Sequence, residues 1–374
     1  MAPTPSELTT TEGVQAYIAN TPFASHTVTS LSGGTGNFAY RIHLSAPFEG
    51  QETLVLKHAE PYIKNLVSFA FSLKRQTFEY EAMTRIKEWL PADSLVTVPT
   101  IYHFDRELHV LIMEDCGPSG VPTLKDFLCK SEPSILQNLA DKIGASLGRF
   151  LGEMHTWSRT DPRGLLGLFA GNTQALHISA WVTHGRTVQT LTEDLPPALA
   201  DPPIEVSAAD LDVLRKAANE MSAAITAARD VFVMGDFWPG NIMVKLDAEQ
   251  NLERLYILDW ELAKPGVPGV EIGQFCAEVD LVRRFVPSTK DAVKKVLETF
   301  LHAYAQECGA NVKMARDALI HWGTHMVVFT PRVAWGDKQT TRQVVKDGVQ
   351  IIVSAAGASK QDLRESLVGP LFSQ

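Results

Sequence analysis

The chain has 374 residues, of which 45% are hydrophobic and 21% are charged, and its formal net charge is −9. This composition is ordinary for a folded protein and excludes a disordered, collagen-like or coiled-coil chain. The acidic balance gives no electrostatic support for binding nucleic acid or an anionic membrane, so we expect a small-molecule partner.

The first third of the chain predicts a small mixed α/β lobe. Two β-compatible runs occupy residues 38–44 and 53–57, and an apolar run at 110–114 ends at a Cys-Gly-Pro turn. Between them, apolar residues recur near helical spacing from Leu73 to Leu90, before a proline that ends the pattern. We assign residues 1–115 to this N-terminal lobe.

The remainder, residues 116–374, predicts a larger and mainly helical lobe. Apolar residues at intervals of three and four from Leu136 to Met154 predict one long helix, and a second stripe runs from Leu211 to Ile225. Further helices are expected at 290–307, 312–328, 340–355 and 360–368. One β-rich island, with short strands at 231–234, 242–245 and 255–258, interrupts them. The fold class is therefore α+β.

The β-rich island carries the residues with the clearest chemistry. Asp236 is followed five residues later by Asn241, and Asp259 ends an apolar strand. This spacing matches the catalytic loop and the metal-binding aspartate of kinases, although each residue taken singly could instead cap a turn. Phosphoryl transfer needs a carboxylate that orients or accepts the proton of the attacking hydroxyl, and hard oxygen ligands for Mg²⁺. Asp236 suits the first role, and Asn241 and Asp259 suit the second.

A glycine-rich turn, Gly33-Gly34-Thr35-Gly36-Asn37, opens the first predicted strand. Such a turn lets backbone N–H groups approach phosphate oxygens, although glycine-rich hairpin turns are common in other roles. Its spacing fits neither the P-loop nor the dinucleotide-binding motif.

Lys57 ends the strand after this turn, and we expect it to lie beneath the turn, placed for the phosphates of a nucleotide. Glu81, on the following helix, is expected to hold Lys57 by an ion pair. Glu79 is the competing partner, but a separation of two residues points it to a different helical face. An isolated lysine here would more often be a surface residue with a buried aliphatic stem.

Taken in chain order, these motifs resemble the aminoglycoside phosphotransferase and choline kinase superfamily. The resemblance covers residues 31–282, and residues 55–64 and 78–81 are also similar to methylthioribose kinases. It implies a bilobal protein-kinase-like fold that binds ATP and Mg²⁺ in one crevice and transfers the γ-phosphoryl group to the hydroxyl of a small molecule. Glu114 and Cys116 would then belong to the hinge that meets adenine.

Three departures from the superfamily pattern bear on this hypothesis. Met234 stands where the family usually has a histidine, Glu271 stands where it often has an aspartate, and methylthioribose kinases tend to lack an asparagine at position 241. The direct catalytic positions are intact, which favours an active enzyme over the alternative of a nucleotide-binding pseudokinase with a regulatory role. The acceptor stays open between a sugar, an aminosugar, an amino alcohol and a methylthioribose-like ribose.

Other conspicuous residues are expected to have more ordinary roles. His321 and His325 are one helical turn apart but lack the glutamate of a zinc motif, so we expect packing or surface histidines. His155 is expected to hydrogen-bond in the core and to brace the catalytic loop. Trp238, inside the catalytic segment, could wall an acceptor pocket. The acidic segment 187–214 is expected to be a solvated loop, and the alternative is an acidic rim that attracts a cationic acceptor.

The cysteine pattern and the apolar runs predict a cytoplasmic protein. The four cysteines are scattered without a close pair, which argues against a disulfide framework or a cysteine-type zinc site. The polar N-terminus does not read as a secretory signal. The apolar runs are broken well short of the ~20 residues that a membrane-spanning helix needs.

Overall fold

The computed structural model describes residues 5–32, 34, 36–118 and 120–373. The chain forms two compact units. The first comprises Met1–Pro122 and Arg254–Leu262, and the second comprises Thr123–Glu253 and Ala263–Gln374. The first unit is rich in strands and the second in helices, as the sequence predicts. The segment that carries Asp259 belongs to the first unit, although in sequence it lies between the two stretches of the second.

The first unit is built on an antiparallel sheet. Its elements are, in chain order, α1 (Thr11–Ile18), β1 (Ser25–Ser30), β2 (Phe38–Phe48), β3 (Gln51–His58), β4 (Tyr62–Ile63), β5 (Leu66–Ala70), α2 (Lys74–Trp89), β6 (Val96–Thr97), β7 (Ile101–Asp105) and β8 (Val110–Glu114). The main sheet has five strands in the order β1-β2-β3-β8-β7. β4 and β5 form a separate hairpin.

One face of the main sheet is the core of the first unit. Tyr40 and Ile42 on β2, and Leu54 and Leu56 on β3, are buried there with the apolar face of α1. Successive strand residues point to opposite faces of a sheet, so Lys57 lies on the face opposite this core. β3 is the central strand, which gives the lysine a firmly held backbone.

The second unit consists mainly of helices. Its elements are α3 (Leu124–Lys130), α4 (Pro133–Ser158), α5 (Leu165–Phe169), α6 (Thr173–Ser179), α7 (Thr187–Thr192), α8 (Pro197–Ala200), α9 (Ala208–Ala227), β9 (Phe232–Val233), β10 (Ile242–Leu246), β11 (Leu252–Ile257), β12 (Lys264–Pro265), α10 (Pro268–Phe285), α11 (Lys290–Cys308), α12 (Val312–Val328), α13 (Lys338–Ala356) and α14 (Lys360–Arg364). Across the ranges that the structure covers, no helix is long and apolar enough to span a bilayer.

β11 begins in the second unit and continues into the first, where Leu255 and Tyr256 pair in parallel with Val96 and Thr97 of β6. This pairing fixes the strand that leads to Asp259. The carboxylate therefore shares a unit with Lys57, which is 202 residues away in sequence.

Most of the predicted elements are present, and the exceptions have physical causes. β8 and α12 have the predicted bounds, whereas α14 ends at Arg364, short of 368. The segment 187–214 is not a simple loop, because it contains α7, α8 and the start of α9. α10 has no counterpart in the prediction. Most of its residues are buried, so it lacks the polar stripe that reveals an amphipathic helix.

The longest helix, α4, packs against α11 through glycines. Gly144, Gly148 and Gly152 are four residues apart and lie on one face of α4. A Cβ at Gly148 would lie 2.1 Å from the carbonyl oxygen of Phe300, and one at Gly144 would lie 2.4 Å from that of Val296. The two backbones therefore approach more closely than any other residue type would permit.

Gly148→Ala should destabilise the protein. The added methyl group overlaps the α11 backbone, which cannot rotate aside, so the overpacking should cost about 2–3 kcal/mol, against roughly 1 kcal/mol gained from alanine's better helix propensity. The free energy of unfolding in urea should fall by about 1–2 kcal/mol. Gly167→Ala in α5 is the control, because nothing lies within 4 Å of the added Cβ. An unchanged stability for Gly148→Ala would contradict this description of the helix pair.

Candidate active site

Lys57 is the centre of a buried charge cluster in the first unit. Its Nζ donates to Oε1 of Glu79 at 2.7 Å and also to Oδ1 of Asp259. Burial lowers the pKa of Lys57, but the charges of Asp259 and Glu79 raise it, and the net result lies above the ordinary value. For Glu79, by contrast, burial raises the pKa, to about 7. The ammonium is therefore held charged, and Asp259 lies directly beside it.

The prediction that Glu81 holds Lys57 is wrong. Glu81 forms ion pairs with Arg85 and Arg106, at 3.4 and 3.8 Å, and Glu79 takes the place beside Lys57. The reason is the orientation of α2, whose buried face includes Gln76, Glu79, Ala82, Met83 and Ile86. Glu79 belongs to this stripe at spacings of three and four, and Glu81 does not.

Asp259 has a left-handed backbone, with φ of 66°. Residues other than glycine rarely adopt this conformation, and it is found where the surrounding structure imposes it. Side-chain oxygens of Glu79, Asp259 and Glu261 all lie within 4.8 Å of one another. Glu79 already accepts from Lys57, and Glu261 accepts from Asn37 and Arg75.

The glycine-rich turn is described only in part, because Gly33 and Thr35 lie outside the described residues. Gly34 is exposed and Asn37 is buried. Nδ2 of Asn37 donates to Oε2 of Glu261 at 2.7 Å, so this side chain is engaged within the unit. Any phosphate contact from residue 37 would therefore come from its backbone.

The end of β8 is held by side-chain hydrogen bonds. Oε1 of Glu114 accepts from the hydroxyl of Tyr256 at 3.0 Å, and Oε2 accepts from the backbone N–H of Thr100 at 3.0 Å. Cys116 is buried. Asp115, between Glu114 and Cys116 in sequence, forms an ion pair with Arg41 at 2.6 Å. These contacts fix the backbone at residues 114–116, which is the segment predicted to act as a hinge.

Asp236 is held by two amides in the second unit. Nε2 of Gln274 donates to its Oδ1 at 2.6 Å, and Nδ2 of Asn241 donates to its Oδ2 at 3.0 Å. The structure thus brings Asp236 and Asn241 together, as the spacing predicts. The contact with Gln274 is new, because α10 was not predicted. The neighbouring Phe237 is buried and packs against Phe275 at 5.4 Å between ring centroids, which anchors the segment.

A buried chain of hydrogen bonds braces the residue before Asp236. Gly235, whose φ of 87° requires glycine, donates its N–H to Oε1 of Glu271 at 2.8 Å. Oε2 of Glu271 lies 2.9 Å from Nε2 of His155, and Nδ1 of His155 lies 2.9 Å from the hydroxyl of Tyr304. A carboxylate only accepts, so Nε2 of His155 carries a proton and donates to Glu271. The prediction that His155 braces this loop is confirmed.

Lys264 is a second buried cation, and sequence reasoning missed it. Burial lowers its pKa to about 8, while the charges of Glu271 and Asp236 raise it. No local motif surrounds this residue. Its proximity to Asp236 arises from the pairing of β12 with β9.

Trp238 takes part in an arrangement of aromatic rings around an ammonium. Nζ of Lys125 lies 3.9 Å from the ring centroid of Trp335 and 5.2 Å from that of Trp238, and 3.3 Å from Oε2 of Glu278. Burial alone would raise the pKa of Glu278, but His325 and Lys125 lower it by more. The net pKa lies below the ordinary value, so the carboxylate is charged. We call this group of Lys125, Trp238, Trp335 and Glu278 the ammonium cage.

The two histidines of α12 are buried, and neither belongs to a metal-binding group among the described residues. His325 binds Oε1 of Glu278 at 2.8 Å through Nε2. Nδ1 of His321 lies 3.0 Å from Nε2 of His184, and burial lowers the pKa of both rings. The expected packing role is confirmed.

Comparisons with known proteins identify relatives along most of the chain. A family model described as the phosphotransferase enzyme family matches residues 27–313. The 4-hydroxytryptamine kinases of Psilocybe cyanescens and Psilocybe cubensis are each 28% identical and cover 92% and 88%, respectively, of this chain and of their own. Methylthioribose kinase 2 of Oryza sativa is 25% identical and covers 68% of this chain and 56% of its own. A choline kinase structure from Streptococcus pneumoniae is 16% identical, with a TM-score of 0.48 and coverage of 92% and 98%.

His155→Leu should destabilise the protein markedly. Leucine leaves one buried oxygen of Glu271 without the donor that His155 provides, which should cost about 3 kcal/mol in the free energy of unfolding. Urea denaturation measures this. The control is His177→Leu, because His177 is exposed on α6 and its replacement should change stability by less than about 0.5 kcal/mol. Equal losses in the two variants would show that the chain from His155 to Gly235 is not a brace.

Proposed function

Because the chain belongs to the phosphotransferase enzyme family, we propose that it transfers the γ-phosphoryl group of ATP, with Mg²⁺, to the hydroxyl of a small organic amine. The 4-hydroxytryptamine kinases match nearly its whole length, and this chain is a small-molecule kinase as well. One observation carries the proposal: Asp236, at the position of a kinase catalytic aspartate, is oriented by amides on both of its oxygens.

The nucleotide is assigned to the first unit and the acceptor to the second, as in a bilobal protein-kinase-like fold. Lys57 is the phosphate ligand, and it is steadied by Glu79. Residues 33–37 cover the phosphates through their backbone N–H groups. The backbone of Glu114 and Cys116 meets adenine. Burial of Lys57 supports this role, because a cation away from water acts more strongly on a phosphate oxygen.

Mg²⁺ is assigned to Asp259 and Asn241. Both offer hard oxygen donors, a carboxylate and an amide carbonyl, and this donor set suits Mg²⁺. The ion would neutralise charge on the β- and γ-phosphates. Asp259 also accepts from Nζ of Lys57, so the proposed metal ligand and the proposed phosphate ligand lie side by side.

Asp236 accepts or orients the proton of the attacking hydroxyl. Gln274 and Asn241 hold its two oxygens, so its position does not depend on the substrate. The brace from Glu271 to Gly235 fixes the backbone on its N-terminal side. Catalysis of this kind is mainly positioning and charge neutralisation, and both need groups that are in place before the substrate binds.

The ammonium cage supports an amine as the acceptor. A cation between aromatic faces and beside a charged carboxylate is in the environment that recognises organic ammonium groups. In the protein alone, Lys125 provides that cation. We propose that the acceptor's ammonium takes its place beside Glu278. The relatives named for 4-hydroxytryptamine, which carries both a hydroxyl and an amine, point to the same chemical class.

Asp236→Asn and Asp259→Asn should each abolish transfer. The first variant loses the group that handles the hydroxyl proton and the second a metal ligand, so kcat should fall by at least about 100-fold. Phosphate transfer from radiolabelled ATP to a panel of acceptors is the measurement. Glu81→Gln is the control and should keep kcat within about twofold, because Glu81 does not contact Lys57. Wild-type turnover in Asp236→Asn would refute the assignment.

Glu278→Gln and Lys125→Met should shift the KM for 4-hydroxytryptamine in opposite directions. The first removes the carboxylate that binds the ammonium and should raise KM by about tenfold or more. The second removes the internal competitor and should lower KM. Lys130→Met is the control for Lys125, because Lys130 lies on the same helix and is mostly exposed.

4-Hydroxyindole, which lacks the aminoethyl arm, should respond to neither substitution. An unchanged KM for the amine in Glu278→Gln would contradict the amine assignment. Preferential turnover of methylthioribose over the amine would contradict it as well.

A further inference from the structure

We propose that Arg75 is a positioning residue that fixes Gly36 and Asn37, the C-terminal end of the glycine-rich turn, to the turn carrying Asp259, and that it thereby holds this end in place before ATP binds. The inference rests on the proposed function. Arg75 belongs to no motif that the sequence revealed.

The observation behind it is a closed triangle of hydrogen bonds. Nε of Arg75 donates to Oε2 of Glu261 at 3.0 Å, and its Nη2 donates to Oδ1 of Asn37 at 2.8 Å. Nδ2 of Asn37 donates to Oε2 of Glu261 at 2.7 Å, which closes the ring. All three side chains are buried. The triangle joins three segments that are up to 224 residues apart in sequence.

The guanidinium is used completely. Besides the two bonds of the triangle, Nη1 donates to the carbonyls of Phe71 and Ser72 at 2.9 and 3.1 Å, and Nη2 donates to that of Gly36 at 3.4 Å. The five N–H groups of arginine thus have five acceptors. Its plane also stacks on the ring of Phe71 at 4.2 Å. Lysine has three donors and no plane, so it cannot reproduce these contacts.

Two of the acceptors lie in the glycine-rich turn, and this determines what the triangle positions. The carbonyl of Gly36 and the side chain of Asn37 are both bound by Arg75. Gly36 also lies so close to Glu261 that a Cβ there would be 2.9 Å from Oε1. The turn is therefore anchored at its C-terminal end to the residue two positions after Asp259.

Glu261 takes part in this link through one of its oxygens. Its oxygens lie near those of Asp259 and Glu79, and Oε2 accepts two hydrogen bonds. In our assignment Glu261 joins the turn to the metal-binding segment. Because an anchored turn loses less conformational freedom when ATP binds, removal of the anchor should weaken ATP binding specifically.

The test is steady-state kinetics on the purified full chain, with ATP and the acceptor varied separately. Arg75→Met should raise the KM for ATP by about tenfold and leave the KM for the acceptor within about twofold. Arg75→Lys should not restore the KM for ATP, because the role depends on the forked geometry of the guanidinium and not on its charge. Added methylguanidinium should partly rescue Arg75→Ala. Arg85→Met is the matched control, because Arg85 lies on the same helix but pairs with Glu81.

Asn37→Ala removes a second side chain of the triangle and keeps the arginine. It serves as the test if Arg75→Met does not fold. Its effect on the KM for ATP should not add to that of Arg75→Met. If the wild type binds and uses ATP but both variants keep its KM, the inference is overturned and the proposed function stands. If the wild type shows no ATP-dependent transfer, the proposed function is overturned, and this inference with it.

Discussion

A lysine ammonium that is removed from water must be neutralised, and the first unit is organised around meeting this requirement at Lys57. The central position of β3 sets the lysine on the face opposite the apolar core. The buried stripe of α2 supplies Glu79, and the strained backbone of Asp259 turns a second carboxylate to the same ammonium. Arg75 and Glu261 then connect this cluster to the glycine-rich turn. Three segments of the chain therefore meet at one ammonium and the two carboxylates beside it.

The second unit solves a related problem with hydrogen bonds. Asp236 must keep one orientation although it stands in a loop, and amides on both sides give it that orientation. Glu271 connects the loop to the core through His155. This explains how the loop is held although position 234 carries an apolar residue in place of the histidine that the resemblance led us to expect. Met234 is buried and packs, and the bracing comes from a different helix.

The sequence revealed the residues whose neighbours are local and missed those whose neighbours are distant. Asp236 and Asn241 lie on one short loop, so their spacing alone predicted their contact. Gln274 and Lys264 reach Asp236 only through elements that the periodicity did not show. Glu79 is the instructive case. Its place in the buried stripe of α2 was legible in the sequence, and the error came from choosing its neighbour Glu81 by analogy rather than by the helical period.

Lys125 gives the ammonium cage a property of its own. A side chain tethered a few bonds from its binding place acts at an effective concentration in the millimolar range. Any ligand for the cage competes with the Lys125 ammonium. Its measured binding free energy is therefore the difference between the free energies with which the ligand and Lys125 bind in the cage. Compounds that fill the cage only as well as lysine does would bind there with an apparent Kd near that effective concentration. Discrimination among amines would then come from whatever each molecule offers beyond its charge.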